Sequence, residues 1–482
     1  MRVYNTLTKS KETFVPKIPG KVGIYVCGPT VYDFSHVGHA RSVVVFDVVV
    51  RYLRAAGYQV TYVRNFTDVD DKIIRRAQET GTDSRSLADR FIAAFHQDMD
   101  ALGVLRPDLE PRVTDHIDDI IDIVTTLMDK DAAYLADGDV FYAVDAFPEY
   151  GKLSGRKLDD MIAGSRVDVN TSKRNPHDFV LWKAAKPGEP SWPSPWGPGR
   201  PGWHIECSAM SCRFLGETVD IHGGGKDLIF PHHENEIAQS EAAHGKTFVR
   251  YWMHNGFVNI NNEKMSKSLN NFLMIRDMLE SRHPETLRLF LLSNHYRSPI
   301  DFSDEHLGAS EKALEKIYAV VQRLETETGL GLADTGEDAA PAGSFWQAFC
   351  EAMDDDFNTA KGIGILFNLV KEINRVLDEK AGGFVDEARR LLGDLSRMTG
   401  VLGILQHSWQ DFTKAQTRRQ LSSAALSPEA IDALVIERTE ARKSKNWKRA
   451  DEIRDQLQAA GIILEDKADG TQWKFSGNSK IG

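Results

Sequence analysis

The stretch Val22-Gly-Ile-Tyr-Val-Cys27, with His36-Val-Gly-His39 shortly after it, decides the fold of this chain. The first run is apolar and predicts a buried strand, and Ala40 to Ala56 beyond the histidines has a helical pattern. A strand–loop–helix unit turns the helix N-terminus, with its free N–H groups and positive dipole end, toward a bound anion. His36 and His39, near that turn, can donate hydrogen bonds to phosphate oxygens.

A second motif, Lys264-Met-Ser-Lys-Ser268, places two lysines in a polar loop that is rich in asparagine. Such a loop can close over a triphosphate and neutralise the charge that develops as pyrophosphate leaves. Each motif alone also has a plain interpretation, as exposed loop histidines or as a solvated basic loop. Together, in this order and on opposite sides of one α/β pattern, they predict an ATP site that forms an acyl adenylate.

The alternation of strand-like and helix-like stretches predicts an α/β protein with five segments. They are the first half of a Rossmann-like, doubly wound parallel-sheet catalytic domain (1–105), an insertion (106–201), the second half with the lysine loop (202–305), an α-helical bundle (306–407), and a linker with a small C-terminal domain (408–482). The two catalytic halves should therefore share one sheet.

Several local expectations are specific enough to check. Val219 to His222 is predicted as a strand that leads into a glycine-rich turn, and Pro231 to His244 as a helix with proline in its first turn. Residues 187–202 contain too many prolines and glycines for regular structure. Residues 408–426 are predicted to be a linker, and the residues beyond Gly461 a short tail.

Length and composition indicate a soluble protein of several domains. The 482 residues are 41% apolar and 27% charged, and no apolar run approaches the roughly 18–20 residues that span a bilayer. The N-terminus lacks the apolar segment of a signal peptide, so we expect a cytoplasmic protein without membrane attachment. The net charge of −11 disfavours nucleic-acid binding by the whole surface, so such binding would need a local basic patch.

Four cysteines in a chain of this size do not indicate a disulfide framework in a cytosolic protein. The spacing between Cys207 and Cys212 is not that of a zinc knuckle either. The cysteines are Cys27, Cys207, Cys212 and Cys350.

His232 and Glu236 lie four residues apart on a predicted helix, a spacing typical of helical metal ligands. Cys27, at the end of the first strand, and Cys207 would complete a set of four ligands. His233 competes with His232 for the same role. Alternatively, the two cysteines are small buried residues and His232 caps a helix; the residues alone leave these interpretations open.

The C-terminal stretch from Ile436 to Asp451 concentrates basic residues around Trp447. A basic face with an aromatic side chain can bind phosphate and stack an unpaired base, and Trp473 is a second, weaker stacking candidate. The alternative is a solvated helix with Trp447 in its core. The basic residues are Arg438, Arg442, Lys443, Lys445, Lys448 and Arg449.

Six stretches together resemble the class I aminoacyl-tRNA synthetases and, among them, the cysteine–tRNA ligases. The resemblance covers essentially the whole chain. The stretches are Cys27-Gly-Pro-Thr-Val-Tyr-Asp33, Asn65-Phe-Thr-Asp-Val-Asp-Asp-Lys72, Gly202-Trp-His-Ile-Glu-Cys-Ser-Ala-Met210, His222-Gly-Gly-Gly-Lys-Asp227, Phe230-Pro-His-His-Glu-Asn-Glu236 and the Lys-Met-Ser-Lys-Ser loop.

The resemblance implies a two-step reaction. The carboxylate of L-cysteine attacks the α-phosphate of ATP, bound with Mg²⁺, and gives cysteinyl-adenylate and pyrophosphate. The 3′ end of tRNA(Cys) then takes the cysteine and AMP is released. The family also implies one Zn²⁺ per chain, a monomer, an insertion that contacts the tRNA acceptor end, a bundle that contacts the tRNA stem and a C-terminal domain that binds the anticodon.

The resemblance assigns site residues by position, with Val37 standing where the family's usual signature has isoleucine. The catalytic set is His36, His39, Lys264 and Lys267, and ATP binding adds Gly38 and Ser266. The implied zinc ligands are Cys27, Cys207, His232 and Glu236. The implied cysteine pocket is Thr67, Trp203, His222 and Asp227, and the implied tRNA contacts are Arg442, Lys445, Trp447 and Lys448.

Two other functions compete with this one. A ligase can form the same cysteinyl-adenylate and pass cysteine to a small amino-sugar amine, without an RNA-binding domain. A degenerate zinc-stabilised RNA-binding protein would lack activity altogether. The basic C-terminal region argues against the first alternative, and the intact histidine and lysine motifs argue against the second.

Overall fold

The computed structural model divides into two compact units: residues 1–277 with 284–405, and residues 278–283 with 406–482. Both units mix helices and strands. The residues that the structure describes are 1–156, 172–260, 263–264, 273–332, 342–423, 428–460, 462–467 and 470–475.

The described strands and helices have the following bounds. The strands are β1 Arg2–Asn5, β2 Ser10–Thr13, β3 Lys21–Val26, β4 Gln59–Arg64, β5 Ala133–Ala136, β6 Asp139–Tyr142, β7 Phe179–Ala184, β8 Gly199–Pro201, β9 Val219–Gly225, β10 Val249–Asn255, β11 Val258–Ile260, β12 Glu263–Lys264, β13 Ile300–Phe302, β14 Ile462–Lys467 and β15 Gly470–Phe475. The helices are α1 Val37–Ala55, α2 Asp71–Thr80, α3 Ser84–Ala101, α4 Ile117–Asp129, α5 Ile205–Leu215, α6 Glu234–His244, α7 Ile275–Ser281, α8 Pro284–Leu292, α9 Asp304–Thr328, α10 Ser344–Asp354, α11 Thr359–Glu379, α12 Phe384–Leu402, α13 Trp409–Ser423, α14 Pro428–Lys443 and α15 Trp447–Ala459.

A four-stranded parallel sheet forms the centre of the first unit, in the order β10-β9-β3-β4. The chain therefore runs outward from β3 to β4 in one direction and from β9 to β10 in the other. In doubly wound sheets, ligands bind at the carboxyl ends of the strands where this direction reverses. The predicted union of two catalytic halves in one Rossmann-like sheet is confirmed, and it places Cys27 at the reversal between β3 and β9.

The predicted glycine-rich turn after His222 is wrong, because β9 continues through Gly225. Gly223 pairs with Met253 and Gly225 with Asn255 in the parallel ladder. A Cβ atom on Gly223 would lie 2.1 Å from the ring of Phe46. Gly223 therefore allows α1 to pack closely on the sheet.

The insertion forms an antiparallel sheet in the order β5-β6-β7-β8. The expectation of irregular structure over residues 187–202 holds for most of that stretch and is wrong for β8, which pairs Arg200 with Lys183 and Pro201 with Trp182. A short edge strand tolerates proline because the missing N–H faces away from the ladder. The helical bundle is formed by α9, α10, α11 and α12.

A buried ion pair links α1 to the bundle. Asp47 on α1 and Arg288 on α8 pair with side chains that are at most 1% exposed, and Arg51 adds a second cation 2.9 Å from the carboxylate. The guanidinium of Arg288 also donates to the carbonyl of Leu402 at the end of α12, at 2.6 Å. The helix behind the histidine motif is therefore held by charge as well as by packing.

We expect Asp47→Asn to lower the free energy of unfolding of the first unit by about 3–5 kcal/mol, because it leaves buried Arg288 without its counter-charge. Urea denaturation measures the change. Asp355→Asn is the matched control, since the exposed pair of Asp355 with Lys11 contributes at most about 1 kcal/mol. Equal losses in the two variants would contradict this role for Asp47.

The second unit differs from expectation in two places. The predicted linker contains the helix α13, and the predicted short tail contains the antiparallel hairpin of β14 and β15. Ser427 lies outside the described residues, so its predicted capping role is not seen. A small apolar core joins α14, α15 and β14 through Ile431, Val435, Ile453, Leu457 and Ile462.

None of the helices in the described part of the chain combines the length and apolar character needed to cross a bilayer.

Candidate active site

A cavity of about 460 Å³ opens at the carboxyl ends of the central strands, a size typical of ligand sites. It joins the histidine motif to Cys27 of the predicted metal site. Its walls include Cys27–Thr30 after β3, the histidine motif with His36, Gly38 and His39, Asn255–Val258 after β10, and the side chains of Trp203, Asp227, Arg64 and Lys72.

The structure brings the four predicted metal ligands together beside this cavity. The sulfur of Cys27 lies 3.6 Å from that of Cys207 and 3.5 Å from Oε1 of Glu236. Nε2 of His232 lies 3.6 Å from the sulfur of Cys207 and 3.1 Å from Oε1 of Glu236. All four ligand atoms are within 4.8 Å of one another. Tetrahedral zinc, with bonds of about 2.0–2.3 Å, holds its ligand atoms roughly 3.3–3.8 Å apart, close to these separations.

His232 occupies a different element from the one predicted. It lies in a π-helical turn, Ile229–His233, and α6 begins only at Glu234. The turn delivers its side chain beside Glu236 all the same. The side chain of Glu234 points toward the insertion. Its carboxylate accepts hydrogen bonds from the backbone N–H groups of Gly151 and Ser154, at 2.9 and 2.8 Å.

A second set of four residues shares Cys27 and Glu236 with the first. Nε2 of His222 and of His233 lie 3.4 and 3.3 Å from the sulfur of Cys27. Their distances to the carboxylate of Glu236 are 3.4 and 3.9 Å. The cluster therefore offers two overlapping positions for a metal ion, one with two thiols and one with two imidazoles.

The electrostatics of the cluster suit a cation. Burial raises the pKa of Cys27 and of Glu236 well above their ordinary values and raises the pKa of Cys207 to about 11. Burial lowers the pKa of His232, so its ring is neutral and has a lone pair. Oε2 of Glu236 is buried without a hydrogen bond to any described residue. Two thiols, an imidazole and a carboxyl in one dry site are a donor set that fits zinc.

Further histidines orient these candidate ligands. Nδ1 of His232 lies 2.9 Å from Nδ1 of His204. Nδ1 of His233 lies 2.8 Å from Nε2 of His254, whose Nδ1 lies 2.8 Å from the hydroxyl of Thr6. Such outer contacts fix the tautomer and ring orientation of metal-binding histidines.

The histidine motif caps α1 and faces the cavity. Nδ1 of His36 accepts a hydrogen bond from the backbone N–H of Gly38 at 3.1 Å. Nδ1 of His39 accepts one from the backbone N–H of His36 at 3.2 Å. Burial, with His36 adjacent, lowers the pKa of His39 to about 3. Because Nδ1 of each ring accepts a hydrogen bond, the ring proton lies on Nε2, which can donate to a ligand.

The lysine motif is described only in part. Lys264 ends β12, whose backbone pairs with Asn259 of β11. Ser266 and Lys267 lie outside the described residues, so their predicted contacts with ATP remain predictions.

Three protein-family models match successive parts of the chain. Residues 13–312 match the model "tRNA synthetases class I (C) catalytic domain". Residues 348–406 match the DALR domain, and residues 426–473 match the "Cysteinyl-tRNA ligase anticodon binding domain".

Known relatives match over nearly the whole length. A cysteine–tRNA ligase of Syntrophobacter fumaroxidans is 57% identical, over 98% of this chain and 99% of that protein. The chain belongs to the cysteine–tRNA ligase family. A second family member, from Trichlorobacter lovleyi, is 56% identical over the same shares.

Solved structures of other class I synthetases share the fold. Mycobacterium tuberculosis methionyl-tRNA synthetase in complex with methionyl-adenylate superposes with a TM-score of 0.55 at 16% identity, over 86% of this chain and 96% of that one. A leucine enzyme from Agrobacterium radiobacter, in a ternary complex, gives 0.56 at 12% identity, over 83% and 86%. At these identities the likeness concerns the fold alone.

The residues that the family implies for the cysteine pocket fall into two groups. Trp203 and Asp227 line the cavity. Thr67 and His222 are buried and absent from its lining. The hydroxyl of Thr67 donates to Glu206 at 2.5 Å, and His222 faces Cys27.

The implied tRNA contacts in the second unit also fall into two groups, those that are exposed and one that is held in an ion pair. Trp447 is 58% exposed at the start of α15, so it is not part of a helix core. Lys445 and Lys448 are exposed beside it. Arg442 is held by an ion pair with Asp466, which Arg438 also contacts at 3.0 Å.

Sequence reasoning missed the histidines that orient the ligands and the partner of Thr67. His204 and His254 carry no spacing signal, because they come from distant parts of the chain. Glu206 adjoins a predicted ligand, yet only the fold reveals its contact with Thr67.

Proposed function

We infer that the chain is an ATP-dependent ligase that activates L-cysteine as cysteinyl-adenylate and transfers it to the 3′ end of tRNA(Cys), releasing AMP and pyrophosphate. The observation that carries this function is the match to cysteine–tRNA ligases over nearly the full length, including the anticodon-binding domain. The amino-sugar alternative has no support from these relatives.

We propose that Cys27, Cys207, His232 and Glu236 hold one zinc ion. This set contains two thiols, which bind zinc more strongly than the single thiol of the competing set. A zinc ion there would accept the substrate thiolate and would bind the hydroxyl of serine poorly. Selection by ligand softness separates two side chains of nearly equal size, which packing alone cannot do.

The remaining side chains position the reactants. Nε2–H groups of His36 and His39 donate to the phosphates of Mg-ATP and to the charge that develops on them, as oriented donors do at little reorganisation cost. The carboxylate of Asp227 pairs with the α-ammonium group of the substrate, and Trp203 forms a wall of the pocket. By resemblance, Lys264 and Lys267 close over the pyrophosphate. No nucleophilic side chain is needed because the substrate carboxylate attacks the phosphate itself.

Trp447 and the lysines beside it are proposed to bind the anticodon loop. We expect Trp447→Ala to weaken tRNA binding about 5- to 100-fold, the effect of losing one base–aromatic stack. The KM for tRNA should rise, while cysteine-dependent pyrophosphate exchange stays unchanged because it involves no RNA.

The control for Trp447 is Ile18→Ala, which truncates an exposed apolar side chain of the first unit that lies outside the insertion. It should leave both measurements unchanged. A normal KM for tRNA in Trp447→Ala would remove this residue from the anticodon contact.

We also propose a cytoplasmic monomer. All four cysteines are free thiols, as in a reducing compartment, and the monomer is what the resemblance to the family implies.

Pyrophosphate exchange tests the first half of the function. With ATP and labelled pyrophosphate, cysteine should support exchange and serine should not. Exchange supported equally by both amino acids would contradict a thiol-selective site.

A further inference from the structure

Two sulfur atoms of the metal cluster, those of Cys27 and Cys207, face each other at 3.6 Å. Both residues are free thiols. A disulfide joins its sulfurs at about 2.0 Å, so rotation of the two side chains about their Cα–Cβ bonds has a gap of only about 1.6 Å to close. The cluster therefore contains a pair of thiols that can become linked, in addition to a set of metal ligands.

The two thiols differ in their access to small molecules. Cys27 is half-buried and lines the cavity. Cys207, on α5, is only 2% exposed and is absent from the cavity lining. A small oxidant that enters the cavity therefore reaches the sulfur of Cys27 first, with the sulfur of Cys207 directly behind it.

The other two cysteines have different neighbours. The sulfur of Cys212 lies 3.6 Å from Nε2 of His244. Cys350 lies on α10, where its backbone carbonyl accepts a hydrogen bond from the hydroxyl of Tyr52 at 3.0 Å. Cys207 is therefore the thiol that is in position to react with an oxidised Cys27.

The surroundings of Cys27 suit an attack on a peroxide. A metal ion binds cysteine as the thiolate, which is also the nucleophilic form, and thiols that respond to oxidants are accessible thiolates next to a second cysteine. Nε2 of His222 and of His233 lie 3.4 and 3.3 Å from the sulfur of Cys27. Neither ring belongs to the proposed zinc set, and a ring N–H at either position would stabilise a departing hydroxide.

We propose that Cys27 and Cys207 form a redox site, in which a peroxide converts the zinc-bound pair of thiolates to a disulfide and the chain loses the metal ion. The release of zinc rests on the proposed zinc set. The link between the two sulfurs rests on their separation alone.

The reaction balances in two steps. The thiolate of Cys27 attacks one oxygen of hydrogen peroxide, which breaks the O–O bond, gives a sulfenic acid (S–OH) and releases hydroxide. The thiolate of Cys207 then attacks the sulfur of Cys27, forms the S–S bond and releases a second hydroxide. The sulfurs lose two electrons in total, and the two hydroxides take two protons from solvent and leave as water.

The disulfide removes two of the four proposed zinc ligands. His232 and Glu236 alone cannot complete the four-coordinate site that zinc prefers, so the means of selecting cysteine is lost with the ion. A dithiol breaks the S–S bond and restores both ligands. Activation of cysteine should therefore stop under peroxide and resume after reduction.

The test follows the metal and the thiols rather than activity. The zinc-loaded chain is treated with hydrogen peroxide beside a zinc-sensitive dye, then unfolded for thiol titration and digested for mass spectrometry. We expect zinc to fall from one per chain to none and free thiols to fall from four to two. The peptides of Cys27 and Cys207 should appear linked, two hydrogens lighter than when reduced. Dithiothreitol with added zinc should reverse all three changes.

Two variants complete the test. The double variant Cys212→Ser with Cys350→Ser should release zinc at the wild-type rate and form the same linked pair, because these cysteines lie outside both ligand sets. In Cys207→Ser the resolving thiol is gone. Peroxide should then carry Cys27 beyond the sulfenic acid, to a product that dithiothreitol does not reverse.

Zinc release without a link between Cys27 and Cys207 would overturn the proposal, and so would an overoxidised Cys27 in wild type. Retention of zinc at a peroxide dose that oxidises Cys212 and Cys350 would overturn it as well. A wild-type chain that binds no zinc and still forms the link would refute the proposed zinc set and the release of metal, and would support the thiol pair.

Discussion

We expect Cys207→Ser to lose its bound zinc and to lose the activation of cysteine in preference to serine. Cys207 lies 3.6 Å from both Cys27 and His232, and an alcohol is a poor zinc ligand. Loss of even an outer-shell partner costs roughly 10- to 100-fold in metal affinity, so loss of a direct ligand should exceed about a hundredfold. Atomic spectroscopy of the dialysed protein measures zinc per chain, and pyrophosphate exchange measures activation.

Cys212→Ser is the matched control, because Cys212 lies on the same helix and outside both ligand sets. It should keep one zinc per chain. His233→Asn tests the competing set, since asparagine can retain the contact with His254 while losing Nε2. Zinc lost from His233→Asn and retained by Cys207→Ser would show that the ion occupies the two-imidazole position.

His39→Asn is expected to slow adenylate formation about 100- to 1,000-fold, the usual cost of losing one oriented donor to developing charge. Asparagine can still accept the N–H of His36 where Nδ1 now does, so the cap of α1 survives and only the Nε2–H group is lost. Single-turnover formation of cysteinyl-adenylate measures the rate, and urea denaturation checks the fold.

His39→Gln supplies the comparison. Its longer side chain can place an amide N–H near the position of Nε2, and it should recover part of the lost rate. If the asparagine and glutamine variants are equally slow, or if the asparagine variant forms adenylate normally, the donor role of His39 is wrong.

Local patterns predicted much of this architecture. The strand before Cys27, the helix after His36 and the bundle helices follow from periodicity, because each buries one apolar face. The sequence failed where neighbours decide the conformation. Residues 223–225 are glycines that resemble a turn, yet the ladder with β10 and the ring of Phe46 hold them in a strand.

The sequence predicted which residues form the candidate metal site better than it predicted the elements that carry them. His232 and Glu236 suggested a metal site by spacing alone, although His232 lies in a π-helical turn that the spacing does not reveal. The competing set needed the fold, because His222 and His233 converge on Cys27 from different elements. Thr67 is the opposite case. The resemblance assigns it to the cysteine pocket, yet it does not line the cavity and its hydroxyl contacts Glu206.

The most direct test is the transfer of labelled cysteine to a tRNA(Cys) transcript, with the purified chain and Mg-ATP, counted as acid-precipitable label. The account predicts about one cysteine per tRNA, no label from serine, and no charging of a transcript that lacks its 3′-terminal adenosine. Cysteine-dependent pyrophosphate exchange without any label on tRNA would contradict it, because the adenylate would then serve a different acceptor.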